Sequence, residues 1–243
     1  IHRPALLPAK HAPALIYYHG GGYVSGSLES HRNLCRQLSH EVNCAVVAVD
    51  YRLAPENKFP VGIHDCLAAF DAVVQQAIEL GFDPERVSVA GDSAGGNAAA
   101  VIAQQRKTSS HPPKFQALWV PWLDMSKQAL SYELMGEGLF LEKKKMEWYT
   151  NNYLRSEEDG LNPLASPTLG DVEGVCPAAI FSAGFDPLRD EGKNYAEKLK
   201  AAGVPCHYRL YEGVIHPFIN VAGKIPVAGK AFDEAIAVIK EHL

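Results

Sequence analysis

The chain has 243 residues, of which 47% are hydrophobic and 21% charged, and its formal net charge is −5 at pH 7. This composition is typical of one globular domain, and a chain of this length buries a sizeable core. A negative charge without a basic cluster argues against nucleic acid as a partner. The longest apolar runs, residues 45–49 and 117–123, are too short to span a bilayer.

The cysteines are odd in number and scattered, without a C-x-x-C pair. This usage predicts reduced thiols in a cytoplasmic protein, and we expect neither a metal site nor a cofactor. The five are Cys35, Cys44, Cys66, Cys176 and Cys206.

The first predicted strand, residues 14–18, ends in a glycine triplet within the sequence His-Gly-Gly-Gly-Tyr at 19–23. Glycines directly after a strand free backbone N–H groups to point into a cavity, although a flexible loop is the alternative. A helix is predicted at 29–40 and a second strand at 44–50.

The next segment, residues 51–56 (YRLAPE), is expected to be structural, with its charges paired to each other. A long amphipathic helix is predicted at residues 60–80, closed by Gly81. Asp83 and Pro84 then predict a turn into the third strand.

The third strand leads into Gly-Asp-Ser-Ala-Gly at 91–95, and an alanine-rich helix is predicted from Ala94 to about Lys107. G-x-S-x-G between a strand and a helix is typical of the nucleophile elbow of α/β-hydrolases, with Ser93 at the apex. Side chains at positions 91 and 95 would collide with the neighbouring strand and helix. The alternative is a glycine-rich turn without a catalytic role.

The second half of the chain continues the alternation of strands and helices. A loop at 109–113 is expected to expose His111, and a strand at 115–123 is broken by Pro121. Residues 124–170 read as an insertion over the sheet, a partial lid with a helical piece at 139–154. The remaining predicted elements are a strand at 177–185, a helix at 189–202, an edge strand at 206–211 and a helix at 228–240.

The predicted alternation requires a mostly parallel sheet with helices on both faces. Reactive groups in such sheets gather at the carboxyl ends of the strands, where Ser93, Asp186 and His216 all fall. A serine nucleophile needs a histidine base and an acid that orients it, and the acid and histidine follow the serine in α/β-hydrolases. His216 is the preferred base because His111, His207 and His242 lie in a loop, in a strand and at the terminus.

Two other carboxylates lie near these positions. Asp190 is the alternative acid, although a helix cap or ion pair is the more natural role for it. Asp92 precedes the apex of the elbow and is expected to brace the glycine loop rather than orient His216.

Four motifs stand here in order: HGGG at 19–22, DYRLAPE at 50–56, GDSAGG at 91–96 and DPLRD at 186–190. Together they resemble the hormone-sensitive lipase-like esterases, in their bacterial GDSAG group, over essentially the whole chain. The resemblance implies an α/β-hydrolase fold and hydrolysis of carboxylic esters with short to medium acyl chains. It implies a catalytic triad of Ser93, Asp186 and His216, with oxyanion donors at Gly21, Gly22 and Ala94.

The chain departs from the family pattern in two places. The family usually reads His-Gly-Phe at the base, where this chain has His216-Pro217-Phe218, and proline removes an N–H and fixes φ. The family also carries N-terminal cap helices and two outer strands before the HGGG strand, a segment that is not seen here. We therefore predict one catalytic domain over residues 1–243, with a cap-like insertion at about 124–170.

The remaining expectations concern substrate and assembly. A small-molecule ester is the expected substrate, although the sequence does not specify which one. The alternatives are a non-catalytic ligand receptor and an amidase that uses the same triad. The edge strand near Tyr208 to Tyr211 could pair across a two-fold axis into a homodimer. Candidates for lining the substrate pocket, each of which could equally be core, are Tyr23, Trp122, Leu123, Leu188, Ile215 and Phe218.

Overall fold

A computed structural model describes residues 1–5, 7, 10–221 and 223–243. Its centre is a six-stranded sheet in the order β2-β1-β3-β4-β5-β6, and all neighbouring strands run parallel. The six predicted strands are therefore confirmed. Their bounds are β1 Ala12–Tyr18, β2 Ala45–Val49, β3 Phe82–Asp92, β4 Gln116–Trp119, β5 Ala178–Phe185 and β6 Cys206–Ile215.

Helices cover both faces of this sheet, as the alternation predicted. One apolar cluster packs residues of α2, α3 and α6 on one face, among them Phe70 and Tyr195. A second cluster packs α1 and α7 on the other face, among them Leu38 and Ile236. The helices are α1 Leu28–Val42, α2 Val61–Gln75, α3 Ala94–Gln105, α4 Leu130–Met135, α5 Lys143–Tyr153, α6 Arg189–Ala201 and α7 Pro226–Lys240.

Helix α5 begins at Lys143 rather than at residue 139, and two elements, α2 and β4, end well before their predicted ends. Helix α2 ends at Gln75 rather than at residue 80, because the Ala77 carbonyl accepts the N–H of Phe82 and draws the chain into β3. Strand β4 ends at Trp119 because Val120 has φ +41° and Pro121 has no N–H to continue the ladder. The chain therefore turns towards Ser93 immediately after β4.

One expectation about charged groups was wrong. Arg52 does not pair within its own segment; its guanidinium contacts the Asp65 carboxylate on α2 at 2.7 Å. The His111 side chain is exposed in its loop as predicted, with 37% of it accessible, and its ring contacts the Glu85 carboxylate. A linear pattern does not indicate such partners from other segments.

The insertion at residues 124–170 consists of α4, α5 and short 3₁₀ turns at Glu157–Leu161 and Pro167–Leu169. Helix α5 lies against the glycine loop, since Tyr153 stacks on Tyr23 with ring centroids 4.3 Å apart. The Tyr149 ring lies so close to Gly22 that a Cβ there would be 2.3 Å from it. The insertion thus covers the loop at the end of β1.

Candidate active site

The turn between β3 and α3 holds Ser93 in a strained conformation, with φ +56° and ψ −119°. Such a backbone is rare for a residue with a side chain, and it is common at catalytic sites. Two hydrogen bonds support it: Ser93 N–H donates to the Trp119 carbonyl at 2.9 Å, and Trp122 N–H donates to the Ser93 carbonyl at 3.1 Å. The turn is therefore held by the end of β4.

The two glycines of this turn are required by close approach, as predicted. A Cβ at Gly91 would lie 2.3 Å from the backbone of Gly95, and a Cβ at Gly95 would lie 1.9 Å from the Tyr18 carbonyl oxygen. These distances are far below contact, so the turn can sit against β1 only with glycine at both positions.

Asp186 and His216 lie side by side and are both buried. His216 Nδ1 lies 2.8 Å from Asp186 Oδ2, and the other carboxylate oxygen accepts the N–H of Leu188 at 2.9 Å. An Nδ1–H donated to the carboxylate leaves Nε2 as the nitrogen that can accept a proton. The pair has the geometry of a base with its orienting acid.

All three predicted triad residues follow the carboxyl ends of strands at one edge of the sheet: Ser93 after β3, Asp186 after β5 and His216 after β6. Strands lie about 4.8 Å apart, so β3 and β5 are separated by roughly 10 Å. The contact with Asp186 holds the His216 ring at the end of β5, between the ends of β3 and β6. Among the described residues no hydrogen bond joins the Ser93 hydroxyl to His216, and such bonds commonly tighten only when substrate binds.

The glycine loop, residues 19–23 after β1, presents backbone N–H groups at the same end of the sheet. Within the described parts of the chain, no hydrogen bond uses the N–H of Gly21, Gly22 or Ala94. Ala94 begins α3, where the first N–H groups of a helix have no partner inside it and the helix dipole favours negative charge. Three such donors suit an oxyanion, which forms in the transition state of acyl transfer.

Asp92 braces the glycine loop, as predicted. Its buried carboxylate accepts the Gly20 N–H at 3.0 Å and the Tyr17 hydroxyl at 2.6 Å, and it lies 3.3 Å from His31 Nε2. Burial alone would raise the pKa of Asp92, but the charge and hydrogen bonds of His31 and Tyr17 outweigh it and lower the pKa to about 2. Burial lowers the pKa of His31, and the Asp92 charge and hydrogen bond outweigh that effect and raise it.

Comparison with known proteins agrees with this geometry. A family model described as alpha/beta hydrolase fold matches residues 15–220. The carboxylic ester hydrolase LipN of Mycobacterium tuberculosis is 38% identical, over 98% of this chain and 67% of LipN. An ethyl acetate hydrolase of Pseudomonas putida is also 38% identical, over 97% of this chain and 75% of that enzyme. The crystal structure of EstE1, a thermophilic carboxylesterase cloned from a metagenomic library, matches with a TM-score of 0.94 at 42% identity, over 97% of this chain and 82% of EstE1.

The chain belongs to the hormone-sensitive lipase-like carboxylesterases of the α/β-hydrolase superfamily. The comparisons confirm the family, the fold and the enzyme class, carboxylic-ester hydrolase, that the motifs predicted. No helix in the described parts of this carboxylesterase has both the length and the apolar character needed to cross a membrane.

Asn97 is a site residue that sequence reasoning missed. It is fully buried in α3, and its Nδ2 donates to the carbonyls of Trp122 and Ala165 at 2.7 Å each. Its Oδ1 accepts the hydroxyl of Tyr23 at 2.9 Å. The amide thus joins the glycine loop, the segment after β4 and the insertion of the carboxylesterase. Its place four residues after Ser93, on the inner side of the elbow helix, was the only signal in the sequence.

The predicted pocket residues have three different placements. Trp122 is one of the residues that line a cavity of about 440 Å³, which we name the insertion cavity because residues of α4, α5 and the segment after β4 line it. Ile215 is 41% exposed at the end of β6, next to His216. The other four candidates are buried in the two apolar clusters, where the core alternative placed them: Tyr23, Leu123, Leu188 and Phe218.

Asp190, the alternative acid, has hydrogen-bond partners other than His216. Its Oδ2 accepts the N–H of Ser131 at 3.0 Å, and its Oδ1 accepts from Arg189 at 2.9 Å. These contacts are the cap and ion pair that its position in the first turn of α6 favoured. The geometry therefore leaves Asp186 as the carboxylate that orients His216.

Proposed function

We propose that this carboxylesterase hydrolyses small carboxylic esters through a covalent acyl-enzyme, with Ser93 as nucleophile, His216 as base and Asp186 as the orienting acid. The observation that carries the proposal is the 2.8 Å contact between His216 Nδ1 and Asp186 Oδ2 at the edge of the sheet where the strained Ser93 turn also lies. A serine hydroxyl is a poor nucleophile without a neutral base beside it.

The reaction takes two steps of the same kind. Ser93 Oγ attacks the ester carbonyl while His216 Nε2 takes its proton, and the N–H groups of Gly21, Gly22 and Ala94 hold the oxyanion. His216 then gives the proton to the leaving alkoxide, and an alcohol departs. Water then attacks the acyl-enzyme while His216 takes its proton. The bond between the acyl carbon and Ser93 Oγ breaks as His216 returns that proton to Ser93, and the carboxylic acid leaves.

A short to medium acyl chain is the proposed substrate range. The insertion cavity has a volume of about 440 Å³, within the usual range for small-molecule sites, and Trp122, Met146 and Leu154 form the apolar part of its wall. The proposed catalytic residues do not line it, but Trp122 in its wall donates its N–H to the Ser93 carbonyl, so the acyl chain would extend from Ser93 past Trp122 into it. Polar side chains form the rest of the wall, which does not suit a long alkyl chain. A similar protein of known activity is named for ethyl acetate.

The acyl range is tested with p-nitrophenyl esters from acetyl to dodecanoyl, alongside p-nitroanilides of the same acids. We expect the highest kcat/KM between acetyl and hexanoyl and much slower cleavage of the anilides. Faster cleavage of the anilides would make the protein an amidase. Saturable binding of the esters without turnover would make it a receptor, and a maximum at dodecanoyl would contradict the acyl range.

We also propose a cytoplasmic homodimer formed through β6. This strand is one edge of the sheet, so its outer backbone groups have no neighbouring strand among the described residues. Its side chains His207 and Arg209 are exposed. A second copy of β6 related by a two-fold axis would pair with the outer backbone N–H and C=O groups of this strand. Light scattering after gel filtration should give twice the chain mass of 26.5 kDa, and a single-chain mass at every concentration would refute the dimer.

A further inference from the structure

Glu191 is a buried carboxyl that the proposed mechanism does not use. It lies in the first turn of α6, five residues after Asp186, and is only 2% exposed. Its Oε2 accepts two backbone N–H groups, from Leu123 at 2.7 Å and Asp124 at 2.9 Å. Its Oε1 accepts the hydroxyl of Tyr132 at 3.0 Å. No cationic group bonds to it within the described parts of the chain.

Two of these three donors belong to the segment after β4, which contacts the Ser93 turn. The third, Tyr132, belongs to α4, which lines the insertion cavity. Leu123 and Asp124 directly follow Trp122, whose N–H holds the Ser93 carbonyl. Tyr132 lies on α4 and, with Trp122, lines the insertion cavity. The Glu191 carboxyl therefore bonds both to the segment that supports the Ser93 turn and to helix α4 beside the insertion cavity.

Ser131, which precedes Tyr132 in α4, also bonds to the residues that follow Asp186. The Ser131 N–H donates to Asp190, and the Ser131 hydroxyl donates to the Pro187 carbonyl, one residue after Asp186. Helix α4 is thus attached to the segment that begins at Asp186, which we name the acid loop, at Pro187 and Asp190 as well as at Glu191. Because loops are otherwise mobile relative to the sheet, such attachments set the distance between catalytic groups on different strands.

We propose that Glu191 is a positioning residue, which holds residues 122–124 and α4 against the acid loop and so fixes Ser93 and the insertion cavity relative to His216. This inference rests on the proposed triad. The carboxyl acts through the geometry of its two acceptor oxygens, since its three hydrogen-bond partners are neutral donors.

Glutamine and alanine at position 191 are expected to differ, because only glutamine keeps an acceptor oxygen. Burial raises the pKa of Glu191 well above its usual range, and the hydrogen bonds from Leu123, Asp124 and Tyr132 oppose that rise. A glutamine keeps an oxygen for the two backbone N–H groups and turns its amide N–H towards the Tyr132 oxygen. An alanine leaves two buried N–H groups without an acceptor.

The experiment compares Glu191→Ala, Glu191→Gln and Tyr132→Phe, with Glu197→Ala on the exposed face of the same helix as the matched control. Active sites are counted by burst titration, and kcat and KM are measured over the acyl series. We expect Glu191→Ala to lower kcat about ten- to a hundredfold, the effect of a displacement of about 1 Å, and to shift the acyl preference towards longer chains. Glu191→Gln should retain most of kcat and the acyl profile, Tyr132→Phe should lie between, and Glu197→Ala should match the wild type.

Each result decides the inference. A folded Glu191→Ala with the kcat and acyl profile of the wild type would refute it, and so would a Glu191→Gln as impaired as the alanine. If the alanine variant does not fold, the glutamine and Tyr132→Phe variants decide on the same measurements. Ser93→Ala is measured alongside, since an active Ser93→Ala would refute the triad itself, whereas failure of the Glu191 inference leaves that variant inactive.

Discussion

Ser93→Ala is expected to lower kcat about a millionfold, the loss seen when a serine nucleophile is removed from a triad. The hydroxyl is the atom that forms the acyl-enzyme, and no neighbouring group can replace it at the apex of the turn. The change should leave the fold intact, because the backbone bonds of this turn, to Trp119 and from Trp122, do not involve the side chain. Residual turnover above the solution rate would come from the oxyanion donors and substrate binding alone.

The measurement is hydrolysis of p-nitrophenyl butyrate, with Ser110→Ala as the matched control. Ser110 is an exposed serine in the loop after α3, outside the site. The control should hydrolyse the ester at the wild-type rate, and both variants should melt at the wild-type temperature. Activity of Ser93→Ala near that of the wild type would exclude Ser93 as the nucleophile.

Asp92→Ala is expected to destabilise the fold by about 3–5 kcal/mol, because it leaves His31 without its buried partner and the Gly20 N–H and Tyr17 hydroxyl without an acceptor. Such a loss is a large part of the stability of a typical domain. The Gly20 contact also sets the glycine loop, so the folded fraction of the variant should have a reduced kcat. Chemical denaturation monitored by tryptophan fluorescence gives the free energy of unfolding, and Asp233→Asn, on the exposed face of α7, is the control.

The same pair predicts a dependence of stability on pH. The folded pKa of Asp92 is lowered to about 2, so its contribution is complete above the unfolded value and is lost as the pH falls from about 4 to 2. The folded pKa of His31 is raised, so its contribution is complete below the unfolded value of about 6.5 and is lost as the pH rises through the folded value. Asp92→Asn should flatten both limbs of the stability profile, and an unchanged profile would contradict the assignment of the pair.

The sequence predicted the sheet, and it placed the proposed triad residues at strand ends, because both depend on local patterns. Six apolar runs alternate with amphipathic segments, and this alternation permits few arrangements besides a parallel sheet covered on both faces. The carboxyl ends of parallel strands meet at one edge of the sheet, so the sequence alone predicts that Ser93, Asp186 and His216 lie near one another. The steric need for Gly91 and Gly95 was likewise visible in the motif.

What the sequence did not predict depends on contacts between distant segments. Asn97 donates to backbone carbonyls of residues 122 and 165, and Glu191 accepts from backbone N–H groups of residues 123 and 124. Backbone partners of either kind leave no signature in a sequence. The end of α2 at Gln75 follows from the entry of Phe82 into β3 rather than from helix propensity. Tyr23 follows the glycine triplet and has an aromatic side chain, as a pocket residue would, yet its stacking on Tyr153 places it in the core.

The most direct test of the triad is covalent labelling with a serine-directed organophosphate, followed by mass spectrometry of the intact protein and its peptides. We predict one phosphoryl group per chain, located on Ser93, with esterase activity lost in proportion to the labelled fraction. Labelling should be strongly slowed in His216→Ala, because the base is needed to activate the hydroxyl. A label on another residue, or full labelling with activity retained, would contradict the account.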